Sequence, residues 1–267
     1  MTMIARPSPN FDARTRAIDL VVLHYTGMQD AETALARLTD PAPKAGRYPG
    51  PWQAADIDPN AELGRVSTHY VVGEDGAVYQ VVDEDNRAWH AGIARWDGES
   101  DVNARAIGIE IVNGGHDFGL PPYPDAQIAA LETLLADILT RRALGPHRVV
   151  GHSDVAPGRK FDPGEHFPWS RLAARGLALW PLVAPPPDGP VAQGAETIIA
   201  AQEALAAFGY GAPLTGALDA ETRVVIAAFQ RRFRARRIDG LLDAETAAIL
   251  ADVGEQSARL RMGRLRS

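Results

Sequence analysis

The chain has 267 residues, of which 46% are apolar and 23% charged, and this balance predicts a soluble protein with a packed core. A formal net charge of -7 argues against a general nucleic-acid binder. Because the chain contains no cysteine, disulfides are excluded and a metal site would need histidine and carboxylate ligands.

The N-terminal residues hold no apolar run long enough for the core of a signal peptide. No later segment approaches the roughly 18 apolar residues of a membrane-spanning helix. We therefore expect a cytoplasmic protein, or a periplasmic one if a leader is missing from this sequence.

Residues 1–180 alternate between strand and helix patterns, and the patterns predict six elements in chain order. Buried strands are expected at Ala17–Tyr25, Ala106–Val112 and Arg148–His152, helices at Asp30–Leu38 and Pro124–Arg142, and a hairpin at Thr68–Asp83. Strands that alternate with helices, together with one hairpin, predict an α/β domain with a mixed central β-sheet flanked by helices.

Residues 40–66 form a long irregular stretch between the first helix and the hairpin. Loops of this length are usually functional or mobile. The stretch is interpreted either as a lid or wall beside a cleft or as a surface insertion.

A proline-rich segment, "PLVAPPPDGPVAQG" (Pro181–Gly194), divides the chain because clustered prolines cannot continue a helix. We interpret it as a linker between residues 1–180 and 195–267, and a surface loop inside one domain is the alternative. The second part repeats "TGALDAET" as "DGLLDAET", each with an aspartate suited to cap a helix. With a preceding helix at Ala195–Phe208, it predicts a small three-helix domain.

The basic run "RRFRARR" (Arg231–Arg237) lies in this second part. We interpret it as the solvated face and C-terminus of a helix, with nucleic-acid binding as the alternative.

The segment Val149–Gly164, "VVGHSDVAPGRKFDPG", places titratable side chains directly after a predicted strand. His152 and Asp162 stand ten residues apart across a loop and suit two ligands of a tetrahedral zinc site. His24 ends another buried strand and is the best candidate for a third ligand. Hydrogen-bonded histidines without a metal remain the alternative.

Two further charged residues accompany this pattern. Glu110 interrupts a strand of Ile, Val and Gly, so it needs either an ion-pair partner or a place at a cleft. Lys160 would extend to the same side as Asp162 and could stabilise an oxyanion, unless it is a solvated loop lysine.

Four segments together resemble the zinc-dependent N-acetylmuramoyl-L-alanine amidases of the type-2 amidase family. They are "VVLHYTGM", "STHYVVGEDGAVYQVVDEDNRAWHAG", "DVNARAIGIEIVN" and "VVGHSDVAPGRKFDPG", in the family's order. The resemblance implies a Zn²⁺ ion held by His24, His152 and Asp162, with Glu110 as the catalytic base or a water-orienting acid and Lys160 stabilising the tetrahedral intermediate.

The same resemblance implies that His69, Trp89 and His90 line the substrate cleft, with core packing as their alternative role. Tyr25 stands where some relatives carry Asn, and the 40–66 stretch is longer than in minimal members. Because of both departures, the resemblance does not determine which sugar and which peptide the protein prefers.

Residues 195–267 resemble a peptidoglycan-binding domain. The implied activity is hydrolysis of the amide between N-acetylmuramic acid, or its 1,6-anhydro form, and L-alanine, with peptidoglycan or muropeptide fragments as partners. A non-catalytic recognition protein of the same fold is the alternative. The sequence leaves open whether the substrate is polymeric or soluble, and it does not predict the oligomeric state.

Overall fold

The computed structural model describes residues 2–45, 63–184, 186, 189, 191 and 194–264. Its strands are β1 (Met3–Ala5), β2 (Phe11–Ala13), β3 (Leu20–Tyr25), β4 (Tyr70–Val72), β5 (Val78–Gln80), β6 (Asn86–Ala88), β7 (Ala106–Ile111) and β8 (Val149–Gly151). Its helices are α1 (Ala31–Thr39), α2 (Val102–Arg105), α3 (Asp125–Arg141), α4 (His152–Val155), α5 (Trp169–Ala174), α6 (Ala195–Phe208), α7 (Ala220–Phe233) and α8 (Ala244–Arg264). Most of the irregular 40–66 stretch lies outside the described residues.

Six strands form one sheet in the order β1-β5-β4-β7-β3-β8, and β2 pairs with β6 in a separate ribbon. Strand β7 runs parallel to both of its neighbours, β3 and β4, whereas β4 and β5 form the predicted antiparallel hairpin. Gly76 in the hairpin turn has a φ of 86°, a conformation that favours glycine. The mixed central sheet flanked by helices is therefore confirmed.

The predicted strands and helices of the first part are present, with one correction. Asp30 caps α1 by accepting a hydrogen bond from the Thr33 amide at 2.7 Å, as its position predicted. His152 was expected to end a strand, but β8 stops at Gly151 and His152 begins the one-turn helix α4. The predicted strand was one residue too long. The apolar run that forms β8 leads directly into α4, and the sequence pattern does not mark where the strand ends and the helix begins.

Contacts divide the chain into two compact units. The first comprises Met1–Gly92, Val102–Leu144 and Asp162–Phe167, and the second comprises Ile93–Asp101, Gly145–Phe161 and Pro168–Ser267. These units interleave along the chain, whereas the predicted division at residues 181–194 cuts it once.

In the first unit, α1 packs on the sheet through Ala34, Leu35 and Leu38. In β7, which lies between β4 and β3, Ile107 and Ile109 are completely buried. A strand that is covered on both faces holds its polar residues rigidly, which suits a site built at its end.

In the second unit, α6, α7 and α8 confirm the predicted C-terminal helices, and the sequence repeat has a structural counterpart. Gln202 of α6 accepts a hydrogen bond from the Gly216 amide and donates to Thr222. Gln230 of α7 makes the equivalent bonds to Gly240 and Thr246. Each buried glutamine therefore fixes the turn that leads into the next helix.

The basic run at 231–237 spans the C-terminal end of α7, as predicted, but the expected solvation was wrong for two of its arginines. Arg232 is 2% exposed and Arg234 is 4% exposed. Arg234 forms ion pairs with Asp239 and Asp243 in the following turn. Buried guanidinium groups need such partners, and the turn that follows the run supplies them for Arg234.

Among the described residues, no helix combines the length and the apolarity needed to cross a bilayer.

Candidate metal centre and active site

The three predicted metal ligands come together. His24 lies near the end of β3, His152 begins α4, and Asp162 lies in the loop that follows. One ligand atom from each residue can be chosen so that the three atoms lie within 4.8 Å of one another, and all three residues are buried. Two imidazoles and one carboxylate are a donor set found in catalytic zinc sites, which keep a further position open. The cluster fits a zinc ion.

The two ring nitrogens of His24 have different neighbours. Nδ1 lies 3.1 Å from Asp162 Oδ2, and Nε2 lies 3.0 Å from His90 Nδ1. A metal bound at Nδ1, the nitrogen beside Asp162, would leave Nε2 protonated and able to donate to His90 Nδ1. Such a partner fixes the tautomer and the orientation of a metal-binding histidine.

Gly108 of β7 makes room for His90. A Cβ at this position would come within 2.4 Å of the His90 ring. The glycine that breaks the apolar pattern of β7 therefore lets the imidazole lie against the strand, edge-on to His24 with ring centroids 5.1 Å apart.

Glu110 stands directly opposite His24 in the parallel pairing of β3 with β7. Directly paired residues project from the same face of a sheet. Glu110 is half-buried, whereas the other residues of β7 are buried. Its side chain therefore projects from the same face of the sheet as His24, with Oε2 buried.

Tyr123 is a nearby residue that the sequence analysis missed. Its hydroxyl donates to the Pro163 carbonyl at 2.7 Å, next to Asp162 in the chain. Burial raises its pKa well above 10, and the charges of Asp162, Tyr25 and Glu110 raise it further. Tyr123 therefore lies within electrostatic range of both carboxylates. A tyrosine in a loop carries no sequence signal that would have predicted this.

A second missed network crosses the first unit at the surface. The Tyr25 hydroxyl lies 2.9 Å from His116 Nδ1, and His116 Nε2 lies 3.0 Å from Glu165. Burial, followed by the charge of Asp162, raises the pKa of Tyr25 to about 12. The network connects the strand of His24 to the loop of Asp162.

Lys160 is half-buried and ends the turn after α4, where its amide donates to the Ala156 carbonyl at 3.0 Å. Its neighbour Arg159, which the sequence analysis did not single out, lies 3.3 Å from His152 Nε2. The oxyanion role of Lys160 stays a prediction.

The three residues expected along the substrate cleft lie in different surroundings. His69 is 0% exposed; the Gly108 amide donates to its Nδ1 at 2.9 Å, and its Nε2 lies 3.1 Å from the Asn86 carbonyl. Burial, with the nearby charge of Arg14, lowers the pKa of His69 to about 4. An enclosed neutral imidazole has no surface for a substrate, so we assign His69 to the core.

Trp89 is half-buried, and its indole N–H donates to Asp12 at 2.8 Å while Arg65 lies over its ring. His90 is 8% exposed and contacts His24. Of the three predicted cleft residues, His90 is the one that meets a candidate metal ligand.

Comparison with known families gives two matches. Residues 14–165 match the family described as N-acetylmuramoyl-L-alanine amidase. Residues 194–250 match a peptidoglycan binding domain family.

Two curated relatives illustrate the likeness. The chain is 35% identical over 252 residues to N-acetylmuramoyl-L-alanine amidase AmiD of Escherichia coli, covering 87% of this chain and 80% of AmiD. It is 33% identical over 174 residues to 1,6-anhydro-N-acetylmuramyl-L-alanine amidase AmpD of Haemophilus influenzae, covering 61% of this chain and 86% of AmpD.

Two solved structures are similar to this chain. E. coli AmiD in complex with the substrate anhydro-N-acetylmuramic acid-L-Ala-D-γ-Glu-L-Lys superposes with a TM-score of 0.71 at 34% identity, covering 91% of this chain and 92% of that one. AmpDh3 of Pseudomonas aeruginosa in complex with anhydromuramic pentapeptide gives a TM-score of 0.69 at 31% identity, covering 90% and 92%.

Proposed function

Because this chain belongs to the N-acetylmuramoyl-L-alanine amidase family, we propose that it hydrolyses the amide bond between N-acetylmuramic acid, or its 1,6-anhydro form, and L-alanine. The observation that carries this proposal is the buried His-His-Asp cluster with Glu110 paired beside His24. The arrangement combines a candidate metal site with a candidate base, as metal-assisted hydrolysis of an amide requires.

We propose zinc as the cofactor, held by His24, His152 and Asp162. When bound there, zinc would supply Lewis-acid polarisation of the scissile carbonyl and lower the pKa of a water molecule. His90 would keep the Nδ1 atom of His24 directed at the ion through its bond to Nε2.

Glu110 would act as general base and then as general acid. Its carboxylate would accept a proton from the attacking water as the new C–O bond forms. It would return that proton to the alanine nitrogen as the C–N bond breaks, which releases the lactyl carboxylate and the free peptide. Lys160 would place its ammonium beside the oxygen that becomes negative.

We propose 1,6-anhydro-muropeptides as the preferred substrate. Support comes from the two similar structures, which hold anhydro-muropeptides. Polymeric peptidoglycan is the second candidate, favoured by the match of residues 194–250 to a peptidoglycan binding family. For the first substrate we propose the cytoplasm as the compartment; recovery in the periplasmic fraction of cells would contradict this.

The deciding experiment measures hydrolysis rates on purified anhydro-muropeptide and on intact sacculi, with zinc content determined on the same sample. A chelator should abolish product formation and added zinc should restore it. Binding of muropeptide without cleavage, in a zinc-loaded sample, would identify a recognition protein instead.

A further inference from the structure

Arg232 of α7 contacts the chain on both sides of His152. Its Nη2 atom donates to the Val149 carbonyl at 3.0 Å, and its Nη1 atom donates to Asp154 Oδ2 at 2.8 Å. Val149 is the first residue of β8 and Asp154 lies in α4, so the candidate ligand stands between the two anchoring points. All these residues belong to the second compact unit.

The Asp154 carboxylate accepts hydrogen bonds from three donors. The Gly151 amide donates to Oδ2 at 2.8 Å and the Tyr210 hydroxyl donates to Oδ1 at 2.6 Å, in addition to the bond from Arg232. Asp154 is 0% exposed and Tyr210 is 2% exposed. Burial and the Asp154 charge hold the pKa of Tyr210 well above 10, so its hydroxyl remains a donor. The turn that begins at His152 is thereby fixed from inside the protein.

Helix α7 also contacts the rest of the segment that follows His152. Gly158 has a φ of 72°, and a Cβ there would lie 2.7 Å from Val224 of α7. The Arg231 guanidinium lies 4.6 Å from the centroid of the Phe161 ring. One helix of the region that matches a peptidoglycan binding family therefore lies along residues 149–161.

A buried ion pair of this kind is weak evidence for stability, since apolar residues of similar volume often stabilise a core equally well. What it provides is a fixed geometry, because leaving either charge unpaired is costly. Metal sites need their ligands held within about 0.5 Å of the productive position. The contacts of Arg232 and Tyr210 meet that need for His152.

We propose that Arg232 and Tyr210 are positioning residues for the metal centre, so that the C-terminal helical region preorganises His152 through Asp154. The proposal rests on the proposed function, because it takes His152 to be a zinc ligand. It gives residues 195–267 a role in metal binding that is separate from any contact with peptidoglycan.

The test uses full-length chains carrying Arg232→Met or Tyr210→Phe, and the matched control is Arg234→Met. Arg234 is also a buried arginine two residues away, but it pairs with Asp239 and Asp243 of the helical region. Zinc affinity is measured by competition with a chromophoric chelator under conditions where every variant is folded by circular dichroism. Urea unfolding of the zinc-free proteins gives their stabilities.

We expect Arg232→Met to weaken zinc binding about 10- to 100-fold and Tyr210→Phe by a smaller factor, as for other residues that orient metal ligands. The control should lose comparable stability while its zinc affinity stays that of the wild type. Equal zinc affinities in Arg232→Met, Tyr210→Phe and the control would overturn the inference alone. A wild-type chain that binds no zinc would overturn the proposed function as well.

Discussion

His24 and Glu110 are direct partners on the parallel strands β3 and β7, so a candidate metal ligand and the candidate base leave the sheet side by side. The apolar residues of both strands are buried. Because a shift in register would move these residues out of their packed positions, the pairing of His24 with Glu110 is fixed. Glu110 therefore owes its position to the core of the sheet and not to a loop.

Glu110→Gln should abolish most turnover while zinc binding is retained. The amide keeps the shape of the side chain but cannot accept the proton of the attacking water, and a general base contributes about 100- to 10,000-fold to rate. Muropeptide hydrolysis and zinc content are measured on the same preparation. Glu203→Gln, an exposed change on α6, serves as the control. Normal hydrolysis by Glu110→Gln would remove Glu110 from the mechanism.

His90→Phe should lower zinc affinity about 10- to 100-fold, because the ring is kept but the acceptor for His24 Nε2 is lost. Chelator competition measures the effect, and Trp89→Phe, which changes the adjacent residue, should leave zinc affinity unaltered. If His90→Phe instead raises KM at unchanged zinc affinity, His90 contacts the substrate as the resemblance implied.

The sequence predicted the sheet and the hairpin, because each depends on a local pattern of apolar residues. Spacing alone left the grouping of His24, His152 and Asp162 open, and the family resemblance supplied it. The sequence could not predict Arg232. Its partner Asp154 lies 78 residues away, and a local reading of a basic run assumes that water solvates it. For His69 the alternative of core packing is the one that its burial supports, with partners on strands β6 and β7.

Glu84 should make stability depend on pH. Burial alone would raise its pKa, but hydrogen bonds from Arg141, Tyr70 and Arg142 outweigh burial and lower the pKa from 4.5 to about 2. Because the folded-state value is the lower one, the stabilisation is fully present above about pH 4.5 and is lost as the pH falls toward 2. A shift of this size corresponds to at most about 3 kcal/mol.

Glu84→Gln should therefore be less stable than the wild type at pH 7, and the difference should shrink at pH 3. Urea unfolding at both pH values measures it, with Glu203→Gln as an exposed control whose effect should not change with pH. A difference between wild type and Glu84→Gln that is the same at pH 7 and pH 3 would contradict the assignment.

Tyr123→Phe should weaken zinc binding modestly by loosening the loop of Asp162. The Tyr123 hydroxyl donates a 2.7 Å hydrogen bond to the carbonyl of Pro163, the residue after Asp162, and the substitution removes this bond. One such bond is worth about 0.5–1.5 kcal/mol, or roughly 2- to 13-fold in affinity. Chelator competition and steady-state kinetics are measured together, and Tyr79→Phe on β5 is the control. Zinc affinity that stays at the wild-type value while turnover falls would show that the hydroxyl acts on the substrate and not on the ligand loop.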